Sequence, residues 1–186
     1  GWVSIQLLAI ASNCIETHPE DGPEFLAQQK EENGWTFPYL LDSDQQLAKS
    51  LMAACTPDFF LFSAEHQLIY RGQMDGSRPG NYICPSGIDL RTAIQATLNS
   101  QLVSKDQQPS IGCNIKWRKG SEPFWFYWSA NLDSWILDRQ LLKALSCHLC
   151  RYLLLAFKNN CPKLDKNLIP LFGEWWTVVI LLAGRK

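Results

Sequence analysis

Three groups of side chains in this 186-residue chain have the types and spacing for chemistry. The first is Cys55-Thr56-Pro57, a thiol two residues ahead of a proline that opens the apolar run "DFFLF". A proline cannot donate to a sheet ladder, so it belongs at a strand's first residue or on an edge. X-Pro is also the peptide bond at which a cis form costs little. The second is Arg71, Asp75 and Arg78 in "YRGQMDGSRPG", charges set among glycines. A guanidinium beside a thiol favours thiolate, whereas an Arg–Asp pair can also simply hold a solvated turn. The third is Cys113 in "SIGCNIKW", which reads equally as a structural or a redox thiol.

A fourth motif, "SCHLC" with Cys147 and Cys150, has the spacing of a redox pair or half a zinc site. It falls inside "DRQLLKALSCHLCRYLLLAF", where Leu141, Leu145, Leu149, Tyr152 and Phe157 recur at helical spacing. Only His148 and Cys161 could complete a ligand set, and their spacing fits no common zinc module, so no metal is expected.

The elements that must position these groups follow from periodicity. "WVSIQLLAIAS" is apolar on both faces, as a central strand covered on both sides requires. "DGPEFLAQQKEENG" predicts a helix with Asp21 as cap, Pro23 in the first turn and Asn33-Gly34 as the stop. A short extended piece, "FPYLLD", precedes a second helix over "SDQQLAKSLMAA". "DFFLFS" and "QLIYRG" flank "AEH" as a hairpin. "SGIDLRTAIQATLNS" predicts a closing helix with Ser86 and Asp89 as a capping box and Leu90, Ile94 and Leu98 on one face. The order is that of an α/β layer with an antiparallel edge pair, a mixed sheet with flanking helices.

Composition narrows the function. The apolar fraction of 46% supports a core, and a net charge of −1 without a Lys/Arg run argues against nucleic acid as a partner. Seven cysteines in no repeating frame, with no leader at the start, point to a reducing cytoplasmic setting rather than a disulfide scaffold. Charge shifts near Pro123: residues 1–123 hold 9 basic and 14 acidic side chains, residues 124–186 hold 8 and 4. The second stretch also carries five of the eight tryptophans. Two units are therefore expected, 1–123 and a Trp/Leu-rich basic extension, 124–186, that is not part of the functional domain. Its run "WWTVVILLAG" is ten residues, too short to span a bilayer, so a membrane partner is not expected beyond peripheral anchoring.

Four pieces in order, "AIASNCIETHPEDGPE", "WTFPYLLDSDQQLAKSLMAACTPDFFLF", "LIYRGQMDGSRPG" and "PSIGCNIKW", resemble bacterial redoxins of the alkyl hydroperoxide reductase / thiol-specific antioxidant group. The subgroup they resemble most is usually labelled thioredoxin family protein. The resemblance covers about Val3 to Pro123 and implies a partial thioredoxin-like fold. It also implies a cis Thr56–Pro57 bond, with Thr56's backbone groups unpaired, facing outward and open to an extended substrate. Cys55 would flank the active site, unless it is simply a small buried side chain. Arg71 or Arg78 would steady a peroxide oxygen and Cys113 would act as a resolving thiol. Cys14 and Cys84 fall where the family asks for no cysteine and read as incidental.

Two departures follow from the same resemblance. The family's nucleophilic cysteine follows the first central strand at a helix N-terminus, where terminal N–H groups stabilise thiolate. By order of elements it is expected before Gly1, so the chain reads as N-terminally truncated, starting from Gly rather than Met. The family also normally ends soon after Trp117. The missing strand and helix should leave a sheet edge and one sheet face uncovered.

The function this implies is thiol-dependent reduction of a peroxide or disulfide, with no cofactor and with a thioredoxin- or glutathione-like thiol as reductant. The competing readings are a non-catalytic module that binds partners along the cis-proline edge, and a membrane-peripheral protein acting through its tail.

Overall fold

The computed structural model describes residues 3–78, 81–127 and 177–185, and its architecture is α/β. Strand β1 (Val3–Ala11) leads through a short 3-10 turn (Pro19–Asp21) into α1 (Pro23–Glu32) and then β2 (Tyr39–Leu41). Helix α2 (Gln46–Ser50) precedes β3 (Cys55–Thr56) and the hairpin of β4 (Asp58–Phe62) and β5 (Leu68–Gly72). Helix α3 (Ile88–Leu98), β6 (Cys113–Asn114) and β7 (Thr177–Arg185) follow. The main sheet is mixed, in the order β2-β1-β7-β4-β5, and β3 pairs with β6 in a separate two-stranded ladder.

The central strands are apolar on both sides because both faces of the sheet are covered. Ile5, Leu7 and Ala9 of β1 and Phe59 and Leu61 of β4 point to one face, against Trp35, Phe37, Tyr70, Leu90 and Ala93. Leu8 and Ile10 with Phe60 and Phe62 point to the other, against Ala48, Leu51, Ala53, Ile115, Trp117 and Ile180. This is the period-two alternation of a strand, with apolar residues at both phases. Phe60 and Ile180 are among the most deeply buried side chains of this second layer.

The boundary drawn at Pro123 does not divide the sheet. β7 lies between β1 and β4, antiparallel to the first over nine residue pairs and parallel to the second over five. The edge expected to stand uncovered is thus filled by a strand from the stretch expected to stand apart. The physical reason is that "TVVILLAGR" is β-branched and apolar, and β1 and β4 make no ladder with each other.

The helices are shorter than periodicity alone indicates. Gln45 and Met52 take left-handed backbone at φ 59° and 51°, which confines α2 to five residues. Asp21 ends the 3-10 turn, and Gly22 is the N-cap residue before α1, which begins at Pro23. Asp21's carboxylate instead accepts a hydrogen bond from the Asn13 amide at 2.8 Å. Helix α3 starts from Gly87, and no side chain of that residue caps it.

Candidate functional site

Strand directions gather one set of loops at one end of the main sheet. β1 and β2 are parallel with Ala11 beside Leu41, and Ala11 also lies opposite Thr177 at the start of β7. Asp58 at the start of β4 pairs with Val178, and Phe59 pairs with Gly72 at the end of β5. The segments leaving this end carry Cys14, Asp42 and Gln45, the Cys55-Thr56-Pro57 turn, and the Gln73–Arg78 loop.

The Thr56–Pro57 peptide bond is cis. Thr56, however, is not unpaired and outward: it is 4% exposed and lies opposite Cys113 in the β3–β6 ladder. Its hydroxyl donates to the Cys113 carbonyl oxygen at 3.2 Å. Gly112 makes this possible, because a Cβ there would collide with the Thr56 carbonyl oxygen. The segment is held at both ends. On one side the buried Ser110 hydroxyl donates to the Gly72 carbonyl oxygen at 2.7 Å, and on the other Ile115 and Trp117 enter the core. Between these anchors the residues from Ile111 to Asn114 are exposed, and they include the free thiol of Cys113.

Cys55, one residue back from Thr56, is a buried free thiol. Burial pushes it up to about 12 and the Asp58 carboxylate adds to the shift, against opposing pulls from Arg71 and Arg78. It is a thiol, not a thiolate, at neutral pH.

Arg71, Asp75 and Arg78 do not act as one cluster. Arg71 Nη2 lies 3.5 Å from Oδ2 of the fully buried Asp58 and donates to the Met52 carbonyl oxygen at 2.6 Å. Its guanidinium also sits 5.3 Å from the centre of the Phe60 ring. Asp75 accepts hydrogen bonds from the backbone N–H groups of Ser77 (2.8 Å), Ser86 (2.5 Å) and Gly87 (2.5 Å), and from the Ser77 hydroxyl. Burial pulls Asp75 up, but these donors outweigh it and hold the carboxyl well below the usual carboxylate range. Asp75 therefore holds the turn that leads into α3; of the capping box expected of Ser86 and Asp89, the Ser86 hydroxyl accepts from the Ile88 N–H at 3.3 Å, while Asp89 accepts from the Gln73 amide at 2.6 Å. Arg78 braces the same loop, donating to the carbonyl oxygens of Asp75 and Ser77 and to Gln73 Oε1. The two arginines meet only in their field at Cys55.

A buried polar network that sequence reasoning missed ties these loops together. The Gln45 amide donates to the carbonyl oxygens of Ser12 (2.7 Å) and Lys116 (2.9 Å), and its oxygen accepts from the Arg118 N–H. Asn13 Oδ1 accepts from the Lys116 N–H, and the Cys14 N–H donates to the Lys116 carbonyl oxygen. Asp42 accepts from the Ser12 hydroxyl and the N–H groups of Leu47 and Ala48. Nothing in the spacing of Gln45 signals this role, which depends on its left-handed backbone. Cys14, read as incidental, sits in this network under a thin cover of its own turn. Burial raises its pKa, but the Glu16 and Thr17 N–H groups and the Thr17 hydroxyl outweigh that and leave it below its ordinary value.

Cys84 is exposed on the loop before α3. The Cys147–Cys150 motif, with His148 and Cys161, lies outside the described residues. Among the described residues no three or more His, Cys, Asp or Glu side chains converge on a metal-sized site, and no helix is long and apolar enough to cross a membrane.

No family model matches the chain, and no curated protein is similar to it. Solved structures are similar to it, two of them as follows. A protein of Sinorhizobium meliloti described as hypothetical is 48% identical over 61% of this chain and 62% of its own, with a TM-score of 0.59. An uncharacterized conserved protein of Geobacillus kaustophilus is 46% identical over 60% of this chain and 59% of its own, with a TM-score of 0.57. The chain thus spans about three-fifths of the length of the solved structures it matches and shares their α/β arrangement over that part.

Proposed function

We propose that this chain is part of a thioredoxin-like redoxin of the alkyl hydroperoxide reductase / thiol-specific antioxidant group, and that its work is thiol-dependent reduction of a peroxide or disulfide begun by a nucleophilic cysteine outside the described residues. The observation that carries the reading is the placement of Cys113, an exposed free thiol held opposite Thr56 on a strap anchored at both ends. In this reading Cys113 is the resolving thiol and Arg71 and Arg78 supply the positive field. Cys55 lines the site as an uncharged thiol. A thioredoxin- or glutathione-like thiol returns the product to its reduced form.

The alternative of a binding module that takes an extended partner along the Thr56 edge is weaker, because Thr56 already pairs with Cys113 of the same chain. A tail-driven membrane role is weaker for a similar reason, since residues 177–185 are engaged in the sheet.

Exchange with oxidised glutathione tests the proposal. Cys113 thiolate attacks one sulfur of the disulfide, forming a mixed disulfide and releasing one glutathione thiolate. Peptide mapping of the full chain should show Cys113 modified about ten-fold faster than Cys84, an exposed thiol on another loop. Equal rates at the two positions would leave Cys113 an ordinary surface cysteine and overturn the reading.

A further inference from the structure

Gln45 is 2% exposed and, as the residue before α2, takes left-handed backbone at φ 59° and ψ 18°. A residue with a Cβ keeps that conformation only where its surroundings hold it. Its amide is what holds it. Nε2 gives one proton to the Ser12 carbonyl oxygen at 2.7 Å and the other to the Lys116 carbonyl oxygen at 2.9 Å. Oε1 accepts from the Arg118 N–H at 2.8 Å. A single nitrogen therefore bridges two segments that each carry a thiol, since Ser12 lies two residues before Cys14 and Lys116 three residues after Cys113.

The bridge is reinforced at Lys116. Its carbonyl oxygen also accepts from the Cys14 N–H at 2.7 Å, and its N–H donates to Asn13 Oδ1 at 2.8 Å. Asn13 is fixed in turn by its own amide, which donates to Asp21 at 2.8 Å. Lys116 lies beyond β6, so these loop contacts do for it what a ladder does for Cys113 and Asn114. From Lys116 the restraint reaches Cys113 through Asn114 and Ile115, the latter a core residue 1% exposed.

We propose that Gln45 is the positioning residue of the Cys113 thiol, and that its amide does this by clamping the Cys113 strap to the Cys14 turn. The inference rests on the redox reading of Cys113 and deepens it by naming what aims that thiol. Methionine matches the length of glutamine without a strong donor. Gln45→Met therefore removes the bridge with little change in volume and leaves the Ser12 and Lys116 carbonyl oxygens each one donor short.

The test uses the full chain, native and Gln45→Met, with two readouts. Amide hydrogen exchange reads the clamp without reference to redox chemistry. The Lys116 and Arg118 amides should be protected in the native chain and should exchange about ten-fold faster in the variant, the worth of one hydrogen bond. The amides of β1 and β4 should keep their native rates. Exchange with oxidised glutathione reads the thiol: the Cys113 thiolate takes one glutathione sulfur and releases the other as thiolate. The rate ratio of Cys113 to Cys84 should fall from about ten-fold in the native chain toward one in the variant. A merely structural Gln45 would speed all amides alike or leave that ratio unchanged, and either result overturns the proposal. Unprotected Lys116 and Arg118 amides in the native chain would overturn it without any variant. A native ratio of one, with the local amide result as expected, would overturn the redox reading and leave the clamp standing, so the two failures are separable.

Discussion

Thr56 and Cys113 face each other across the β3–β6 ladder, and the Thr56 hydroxyl closes the pair by donating to the Cys113 carbonyl oxygen at 3.2 Å. The contact depends on the absence of a side chain at Gly112. Gly112→Ala should therefore lift the strap or strain it, at about 1–3 kcal/mol of stability, the usual range for an added methyl without room. Urea unfolding of the two proteins measures the loss. An unchanged midpoint would mean that the strap does not rest on Thr56.

The central position of β7 makes a sharper demand. Ile180 is fully buried between Phe60 and the layer around Trp117. Ile180→Ala should cost about 2–5 kcal/mol, as core truncations do. A substitution without effect on thermal unfolding would place residues 177–185 outside the folded unit.

These two features show what was legible and what was not. The strands, the hairpin and the proline at a strand's mouth were readable because apolar runs, turn residues and a missing N–H act locally. The placement of "TVVILLAGR" was not, because an apolar run that fits a sheet reads the same as a passenger until the vacancy it fills is known. The Arg71, Asp75 and Arg78 trio failed differently. Charges close in sequence suggest one shared role, whereas Arg71 leaves from the end of β5 toward Asp58, and Asp75 turns toward the start of α3. Gln45 and Asn13 were invisible, since a buried amide is recognised by its partners and not by its neighbours in sequence.

Asp75 gives the acid side of the stability profile. Its folded value is depressed, so its contribution is fully present above the ordinary aspartate value of about 3.9 and is lost as pH falls through the folded value. Asp75→Asn should lower stability by roughly 2 kcal/mol at pH 7, through lost charge-assisted hydrogen bonds and a weakened helix start. It should also flatten the decline below pH 4. Denaturation at pH 3, 5 and 7 distinguishes this from a pH-independent loss, which would assign Asp75 no role as a charge.

Asp58 has the opposite sign. Burial raises its folded value, so the stability it permits is present at low pH and falls as pH rises from the ordinary aspartate value through the folded one. Arg71→Met removes the compensating cation and should cost about 3–5 kcal/mol once Asp58 is ionised. The gap between native and variant stability should narrow as acid returns the proton to Asp58. A gap that does not change between pH 5 and pH 8 would show that the pair does not titrate in that range.

The most direct test of the redox account is an equilibrium one. The full chain is held in glutathione buffers of graded oxidised-to-reduced ratio, and the state of each cysteine is read by mass spectrometry. Cys113 should convert reversibly between thiol and mixed disulfide at a ratio where Cys84 remains a thiol, and reduced glutathione should restore it completely. Cys113 and Cys84 changing together at one ratio would contradict the claim that the Thr56 strap presents a redox thiol.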